Sequence, residues 1–364
     1  MAFNGDAPIR AAASAGRESA GAGRAGDSLP VRCHHAAMFA SRAFATAVLL
    51  WTALPSAGRA ADVAIELPAG IATHADGRAP IESLYRSWLG LIDQGWQAEA
   101  IVQSAPEGTS ASLPIIALRS PKSGPALWIL AGIHGEEPAG PNAVAAAIDD
   151  IARLGAERPV VLLPLLNPHG YARNWRYLNA AVYSESVDGQ SVGDSSHLLP
   201  SAEDPSRPRA AAASSAEADA ITAFILARAK DYPPIYSIDL HEDNLIDEGY
   251  VYSQGMRGEN DPLAIGAVEV LKENGVPIKL SGKTRFDEPI AGGIIGPVVD
   301  SSIDELMSAD RVLAGGCQRP GPAARTVLVF ETPAAALPLE RRIAAHAALI
   351  RRLTALIEAS KPPP

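Results

Sequence analysis

The sequence has little positive charge and little cysteine, and each shortage excludes a class of protein. Lys and Arg number 31 against 41 Asp and Glu, which gives a formal net charge of -10. Nucleic-acid binding requires a basic face, so this balance argues against a nucleic-acid partner. Two cysteines in 364 residues are too few for a disulfide framework, so the fold must rest on its own apolar core.

The N-terminal part lacks the periodicity of a folded domain, and it lacks an apolar run long enough for a comfortable membrane span. Residues 1–37 are rich in Ala, Gly, Arg and Ser, so we expect a disordered segment or an over-extended start ahead of Met38. A positive residue then precedes the apolar run 43–54, and small residues follow it. This order predicts a secretory signal peptide over residues 38–60 and a periplasmic or secreted mature chain. An uncleaved membrane anchor and a buried helix are the alternatives. After cleavage of a signal peptide we expect no stable membrane span.

Short apolar runs recur along the rest of the chain and predict strands that are buried on both faces, as in a parallel sheet. They are residues 126–131, 160–167, 235–240 and 326–331. Two less regular segments, 98–104 and 112–119, are predicted to form an antiparallel edge.

Helical spacing of apolar residues occurs between these runs. The segments are residues 138–154, 214–231, 261–274 and 338–359. Strands that alternate with helices predict an α/β fold, namely a three-layer sandwich with a mixed, mostly parallel sheet and helices on both faces.

The sequence shows no internal repeat, and no linker follows residue 61, so we expect residues 61–364 to form a single catalytic domain. Two segments, 180–213 and 281–325, are polar, rich in Gly and Pro, and without a clear period. Loops of this length in a compact domain are usually functional or disordered. We expect both to wall the active site and to set its specificity.

Ligand-type residues follow three of the predicted strands. His134 and Glu137 lie three apart in AGIHGEEPAG after the first run, so one turn can aim both at one point. His241 follows the third run, and Glu331 ends the fourth. Because the carboxyl ends of parallel strands meet at one edge of a sheet, we expect these side chains to converge there.

Two imidazoles and a carboxylate form a ligand set that Zn²⁺ accepts while keeping a position open for water and substrate. The sequence therefore predicts one Zn²⁺ per chain, held by His134, Glu137 and His241. Glu331 would act as the general base that takes a proton from water and returns it to the leaving amine. Each residue alone is more often a plain polar strand end, so the prediction rests on their joint occurrence.

With these motifs the chain resembles the zinc metallocarboxypeptidase family, in its compact bacterial branch, from about Ala126 to the C-terminal helix. That family has an HxxE zinc motif, a later strand-end His ligand and a Glu base after a late strand. The matching residues here are His134, Glu137, His241 and Glu331. The resemblance implies a zinc carboxypeptidase-like fold and a hydrolase that cleaves a peptide or amide bond.

The same family carries an Asn-Pro-x-Gly turn that leads to an Arg polarising the scissile carbonyl. Residues 167–170 supply the turn, and Arg176 fits the family's spacing better than Arg173. The resemblance implies that Arg176 stabilises the oxyanion, with Arg173 and Asn167 as substrate-binding candidates. A surface arginine is the alternative for this position.

The specificity elements depart from the family. Its peptidases hold the substrate's terminal carboxylate with an Asn-Arg pair. No Asn-Arg dipeptide occurs in this chain. The segment SVGDSSHLL (191–199) occupies the position where the pair is expected. The family's active-site Tyr has no clear counterpart either. SSIDE (301–305) resembles the specificity-pocket segment, which implies that Ile303 or Asp304 faces the substrate side chain.

The related succinylglutamate desuccinylase and aspartoacylase group shares the fold and an HGxE motif, which HGEE at 134–137 also matches. Those enzymes deacylate N-acyl amino acids with the same zinc and Glu. These resemblances imply a peptide or an N-acyl amino acid as the substrate, and the predicted export favours a peptide.

Two functions of other classes stay open. GQSVG (189–193) matches the GxSxG motif of serine hydrolases with Ser191 as nucleophile, but that motif should join a buried strand to a helix, and here polar segments flank it. A non-catalytic zinc-binding protein is the other possibility. The presence of Glu331 favours the enzyme over the binder.

Overall fold

A computed structural model of the protein describes residues 65, 67, 70–184 and 189–361. The predicted leader, with its segments 1–37 and 38–60, lies outside these residues, so both interpretations remain predictions. Among the described residues, every helix is too short or too polar to cross a bilayer.

Strands and helices are interspersed along the described residues. The strands are β1 (Gln97–Ser104), β2 (Leu113–Arg119), β3 (Ala126–Ala131), β4 (Val160–Leu163), β5 (Pro234–Asp243), β6 (Tyr250–Ser253), β7 (Ser281–Lys283), β8 (Pro289–Ala291), β9 (Ile294–Ile295), β10 (Arg311–Ala314), β11 (Cys317–Pro320) and β12 (Thr326–Pro333). The α-helices are α1 (Ile81–Leu89), α2 (Ala139–Ala146), α3 (Ile148–Glu157), α4 (Pro168–Arg173), α5 (Ala216–Arg228), α6 (Pro262–Glu273), α7 (Ile303–Ser308) and α8 (Leu339–Ser360). Short 3-10 helices occupy Gly90–Gln94 and Gly258–Asn260.

One ten-stranded sheet runs in the order β1-β2-β4-β3-β5-β12-β6-β9-β8-β7. Its four central strands β4, β3, β5 and β12 are parallel to one another. On one side β2 and β1 continue it as the predicted antiparallel edge. On the other side β6 is antiparallel to β12, and the short strands β9, β8 and β7 follow. The parallel strands, whose carboxyl ends are expected to carry the functional residues, are therefore the central strands of the sheet.

The sheet is covered by helices on both faces. Leu127 and Ile129 of β3 pack in a core that includes residues of α1, α2, α3, α6 and α8. Trp128 and Leu130 of the same strand point the other way and pack with residues of α5 and α7. Alternate side chains of a strand point to opposite faces, and here both faces are apolar. The predicted three-layer α/β sandwich with a mixed sheet is confirmed.

Two predicted segments differ in detail. The single helix predicted at 138–154 is divided into α2 and α3, because Ala147 leaves the helical conformation with φ -113° and ψ 24°. The segment 281–325, predicted as a long loop, contains β7 to β11 and α7. These elements are two to six residues long, too short to show a hydrophobic period.

Candidate metal centre and adjoining cavity

The turn between β3 and α2 carries His134 and Glu137. The Glu137 N–H donates to the His134 carbonyl at 3.3 Å, and His134 Nδ1 lies 2.8 Å from Glu137 Oε1. Gly135 between them is packed so closely that an added Cβ would lie 2.0 Å from the carbonyl carbon of Gly170. Only glycine fits this position, and the close approach holds the turn at the carboxyl edge of the sheet.

A buried arginine ahead of α1 supports this turn from behind. Arg78 Nη1 donates to the carbonyls of Gly135 at 3.0 Å and Tyr171 at 2.5 Å. Its Nη2 lies 2.6 Å from Asp76 Oδ2, and the Arg78 side chain is fully buried. The charged, fully partnered guanidinium ties the metal-site turn to a distant part of the chain.

β5 places His241 opposite the turn. His241 Nδ1 lies 3.0 Å from Glu137 Oε2, so each oxygen of Glu137 faces one imidazole. One ligand atom from each of His134, Glu137 and His241 lies within 4.8 Å of the others. The structure thus brings the three predicted ligands together.

The protonation tendencies of these groups suit a divalent cation. Burial, with help from Arg176, lowers the pKa of His134 to about 4. Burial alone would raise the pKa of Glu137, but the two imidazoles hold it well below its usual value. Burial would likewise lower the pKa of His241, but Asp239 and Glu137 raise it well above normal. A neutral imidazole at His134 and an ionised carboxylate at Glu137 are the forms that bind metal. At His241 the two carboxylates favour a proton, which a bound cation would displace.

The strand register places Glu331 beside this centre. β12 runs parallel to β5 with Glu331 opposite His241, so both side chains point to the same face. Glu331 lines the cavity next to the centre, and its buried Oε2 has no hydrogen-bond partner among the described residues. Burial raises the pKa of Glu331 well above its usual value, although His241 opposes this. Once ionised, for example beside a bound cation, this carboxylate is a stronger proton acceptor than an ordinary glutamate and can take a proton from water.

Arg176 reaches the same centre. Its Nη1 donates to Glu137 Oε1 at 2.8 Å and to Glu136 Oε1 at 2.9 Å. Burial would lower the pKa of Arg176, but these two carboxylates raise it above its ordinary value, so the guanidinium stays charged. Arg176 also lines the cavity. It is therefore placed to meet a substrate carbonyl.

Asn167 and Arg173, predicted to bind substrate, lie outside the cavity lining. Asn167 caps α4, since its Oδ1 accepts from the Gly170 N–H at 2.8 Å and its Nδ2 donates to the Arg176 carbonyl at 3.2 Å. Arg173 Nε donates to the His169 carbonyl at 3.2 Å. Because these polar atoms bond within the chain, both residues support the segment that carries Arg176. This supporting role differs from the substrate-binding role that was predicted for them.

A cavity of about 1130 Å³ opens beside the metal centre. Residues of the two polar segments 180–213 and 281–325 form much of its wall, as predicted. Ile303 and Asp304, predicted for the specificity pocket, both line it. The cavity is large enough to hold a peptide-sized or acylated ligand against the metal centre.

Ser191 also lines the cavity, but it lies in an irregular segment. Within residues 189–213, all of which are described, no named strand or helix occurs. The Ser191 hydroxyl accepts a hydrogen bond from the Gly193 N–H at 3.3 Å. The strand-to-helix turn that activates a nucleophilic serine is therefore missing at this position.

Besides Arg78, two further supporting residues were not predicted from the sequence. Asp239 Oδ2 lies 3.2 Å from His241 Nε2 and can fix the orientation of that ring, as carboxylates commonly do for metal-binding histidines. Its signal was its position two residues before His241, on the same face of β5. Glu242, on the opposite face, accepts from the Ala139 N–H at 2.6 Å and pairs with Arg342 of α8. That pair depends on a contact between distant segments, which no local pattern reveals.

Comparison with known proteins agrees with this geometry. Residues 123–242 match the family model of the succinylglutamate desuccinylase/aspartoacylase catalytic domain. This range contains His134, Glu137 and His241. No curated protein matches the sequence.

Solved structures show the same fold. A candidate metallopeptidase from Shewanella amazonensis SB2B is 24% identical with a TM-score of 0.58, and the likeness covers 78% of this chain and 93% of that one. A second candidate metallopeptidase, from Shewanella denitrificans OS217, is 20% identical with a TM-score of 0.56 over 78% and 91% of the two chains. Carboxypeptidase A from Helicoverpa armigera is 13% identical with a TM-score of 0.52 over 78% and 74%. These likenesses and the family-model match confirm the predicted resemblance and the zinc carboxypeptidase-like fold.

Proposed function

We propose that this chain is an exported zinc-dependent hydrolase that cleaves a peptide or amide bond. One observation carries the proposal: His134, Glu137 and His241 converge on one point, with Glu331 opposite His241 on the neighbouring strand. Binding alone would not require a buried, unpartnered carboxylate at that position, so the arrangement favours catalysis over metal storage.

The donor set fits zinc. Two imidazole nitrogens and one carboxylate oxygen are ligands that Zn²⁺ takes in hydrolases, and this set leaves room for a further ligand. When bound, zinc supplies Lewis acidity towards the amide carbonyl and towards water. Asp239 holds the ring of His241 so that Nδ1 faces the centre.

The chain's own groups move the proton and stabilise charge. Glu331 takes the proton of the attacking water and passes it to the leaving amine. Arg176 stabilises the negative charge that develops on the carbonyl oxygen. Its hydrogen bonds to Glu136 and Glu137 keep the guanidinium beside the reacting atoms before substrate arrives.

A deacylase of N-acyl amino acids is the second candidate. The family-model match over residues 123–242 favours it, because the matched model describes a desuccinylase and aspartoacylase catalytic domain. The steps assigned to Glu331 and Arg176 are the same for both candidates. A panel of C-terminal peptides, cell-wall peptides and N-acyl amino acids separates them.

The decisive experiment removes and restores the metal. We expect the purified protein to lose hydrolysis of its substrate in the panel on treatment with a chelator and to regain it with Zn²⁺. We also expect His241→Ala to lower both the zinc content, measured by mass spectrometry, and the activity. Ser191→Ala serves as the matched control and should keep both. Activity that survives chelation, or unchanged zinc in His241→Ala, contradicts the proposal.

Export is a separate part of the proposal. It is supported by the order of charge, apolar run and small residues over residues 38–60. We expect N-terminal sequencing of protein recovered from the periplasm or medium to start near Ala61. Recovery of the full-length chain from the cytoplasm alone would contradict it.

A further inference from the structure

Arg78 bonds to both of the segments that supply the reacting groups. Its Nη1 donates to the Gly135 carbonyl at 3.0 Å, in the turn that carries two of the converging metal ligands. Its Nη2 donates to Asn174 Oδ1 at 2.5 Å, two residues before Arg176. Arg78 itself lies outside the cavity lining and outside residues 123–242, which the family model matches. One guanidinium therefore spans the metal-site turn and the segment that carries Arg176.

The same two segments also bond directly to each other. The Gly135 N–H donates to the Arg176 carbonyl at 3.3 Å. This bond and the two bonds of Arg78 form a closed ring, whose members are Gly135, Arg176, Asn174 and Arg78. In such a ring neither segment can shift without stretching or breaking a hydrogen bond. The ring therefore holds the metal-site turn and the Arg176 segment at a fixed separation, which a catalytic site requires of its supporting contacts.

Arg78 is itself held in one position. Its side chain is fully buried, and its charge is compensated by Asp76, whose Oδ2 lies 2.6 Å from Nη2 and whose Oδ1 lies 2.8 Å from Nε. The Arg78 N–H also donates to Asp76 Oδ1 at 3.1 Å, so a local turn orients the guanidinium. A further bond from Nη1 reaches the carbonyl of Tyr171 in α4 at 2.5 Å. Because all three guanidinium nitrogens bond, the group can transmit its own position to both segments.

Asn174 allows one arm of this ring to be removed alone. It has a left-handed backbone conformation, with φ 60° and ψ 46°, at the C-terminal end of α4. Glycine adopts this conformation readily, so Asn174→Gly removes the Oδ1 acceptor without straining the backbone. The bond from Arg78 to Gly135 stays in place in that variant.

We propose that Arg78 is a positioning residue that sets the distance between the metal centre and Arg176. The proposal rests on the proposed function and extends it to a residue that does not line the cavity. The bond to Gly135 holds the turn of the metal ligands, and the bond to Asn174 holds the segment of the oxyanion-stabilising arginine. Changing the guanidinium should therefore impair metal binding and turnover together, whereas removing the Asn174 arm should impair turnover alone.

Two variants separate the arms. Arg78→Lys keeps the charge beside Asp76 but has one nitrogen in place of the two that bond Gly135 and Asn174. We expect its zinc affinity, measured by competition with a chromogenic chelator, to fall about tenfold, and its kcat at saturating zinc to fall about tenfold or more. Asn174→Gly should lower kcat several-fold, with KM and zinc affinity close to wild type, because Arg176 acts mainly in the transition state.

Arg228→Lys and Ala323→Gly are the matched controls. Arg228 makes two hydrogen bonds to Glu99 and lies outside the cavity lining. Ala323 has the same left-handed type of conformation as Asn174, with φ 53°, and also lies outside the lining. Both controls should keep the zinc affinity and the kcat of the wild type.

A double-mutant cycle separates positioning from general damage to the fold. If the Asn174 arm works by placing Arg176, Asn174→Gly should lower kcat much less in the Arg176→Lys background than in the wild type. General damage would lower kcat equally in both backgrounds. If Arg78→Lys does not fold, Asn174→Gly and this cycle carry the test.

Unchanged zinc affinity in Arg78→Lys, unchanged kcat in Asn174→Gly, or an equal loss in the two backgrounds overturns the proposal. A wild-type protein that hydrolyses no amide of the panel would instead refute the proposed function. The zinc affinity of Arg78→Lys would in that case still decide whether Arg78 holds the metal-site turn.

Discussion

The metal centre and the outer wall of the cavity are built in opposite ways. Glu137 and His241 are 4% and 6% exposed, and each is held by two or more partners at the ends of central strands. Val299 and Phe286 of the wall are 77% and 49% exposed and belong to short or irregular segments. The difference shows that the reacting groups depend on the rigid sheet, while access and selectivity depend on segments that can vary without moving it.

This comparison leads to an ordered set of expectations. Changes at the sheet edge should alter the chemical step or metal affinity by orders of magnitude. Changes at the outer wall should alter substrate preference with little effect on metal content or folding.

The largest effect is expected for Glu331→Gln. Removing the proton acceptor should lower kcat by about 10²- to 10⁴-fold, because that is the usual contribution of a general base. Zinc content should stay unchanged, since Glu331 is not among the three converging ligands. Steady-state kinetics and metal analysis check both parts. Full activity in this variant would remove Glu331 from the mechanism.

Arg176→Lys should follow, with kcat lower by about 10²-fold and a smaller change in KM. Lysine keeps the charge but lacks the planar guanidinium, whose Nη1 alone donates to both Glu136 and Glu137 while the group lines the cavity. Arg173→Lys is the matched control, because Arg173 lies outside the lining and bonds to the backbone. Equal losses in the two variants would show a general structural effect.

Asp239→Asn should weaken zinc affinity by about 10- to 100-fold, the usual range for the partner of a metal-binding histidine. Activity at saturating zinc should fall much less, because the three ligands remain. Competition with a chromogenic chelator measures the affinity. Ser237→Ala, two residues earlier on the same face of β5, is the control. An unchanged zinc affinity in Asp239→Asn would show that the ring of His241 is held by other contacts.

Val299→Ser should have the smallest effect. Stability should change by no more than about 0.5 kcal/mol, because the side chain is exposed, and zinc content should match wild type. KM for the preferred substrate should shift by a few-fold. Thermal unfolding and kinetics measure these values. A loss of zinc, or a fall in kcat as large as that expected for Glu331→Gln, would show that the cavity wall is not independent of the metal centre.

The sequence predictions were accurate for the central sheet and its edge, and less accurate for the segments that form the cavity wall. The runs that became β3, β4, β5 and β12 were predicted because strands buried on both faces need continuous apolar residues. The strand-end positions of His134, His241 and Glu331 followed from those strands. The short elements β7, β8 and β9 were missed, because three residues or fewer carry no measurable period.

Roles that depend on contacts between distant segments could not be predicted from local sequence patterns. Arg78 bonds to the carbonyl of Gly135, 57 residues away, and nothing near Arg78 in the sequence indicates this. Asn167 and Arg173 were expected to bind substrate, but the folded turn uses their polar atoms to support Arg176.

By itself, the sequence determined the class of fold and the chemical identity of the metal-ligand candidates, because hydrophobic periodicity and donor type are local properties of the chain. Only the tertiary structure decided that Asp239 stands behind His241, that the buried Oδ1 of Asp304 has no hydrogen-bond partner among the described residues, and that acidic residues from separate segments share one cavity. Those facts depend on which strands and loops lie side by side, and that is set by the packing of the whole sheet and its helices.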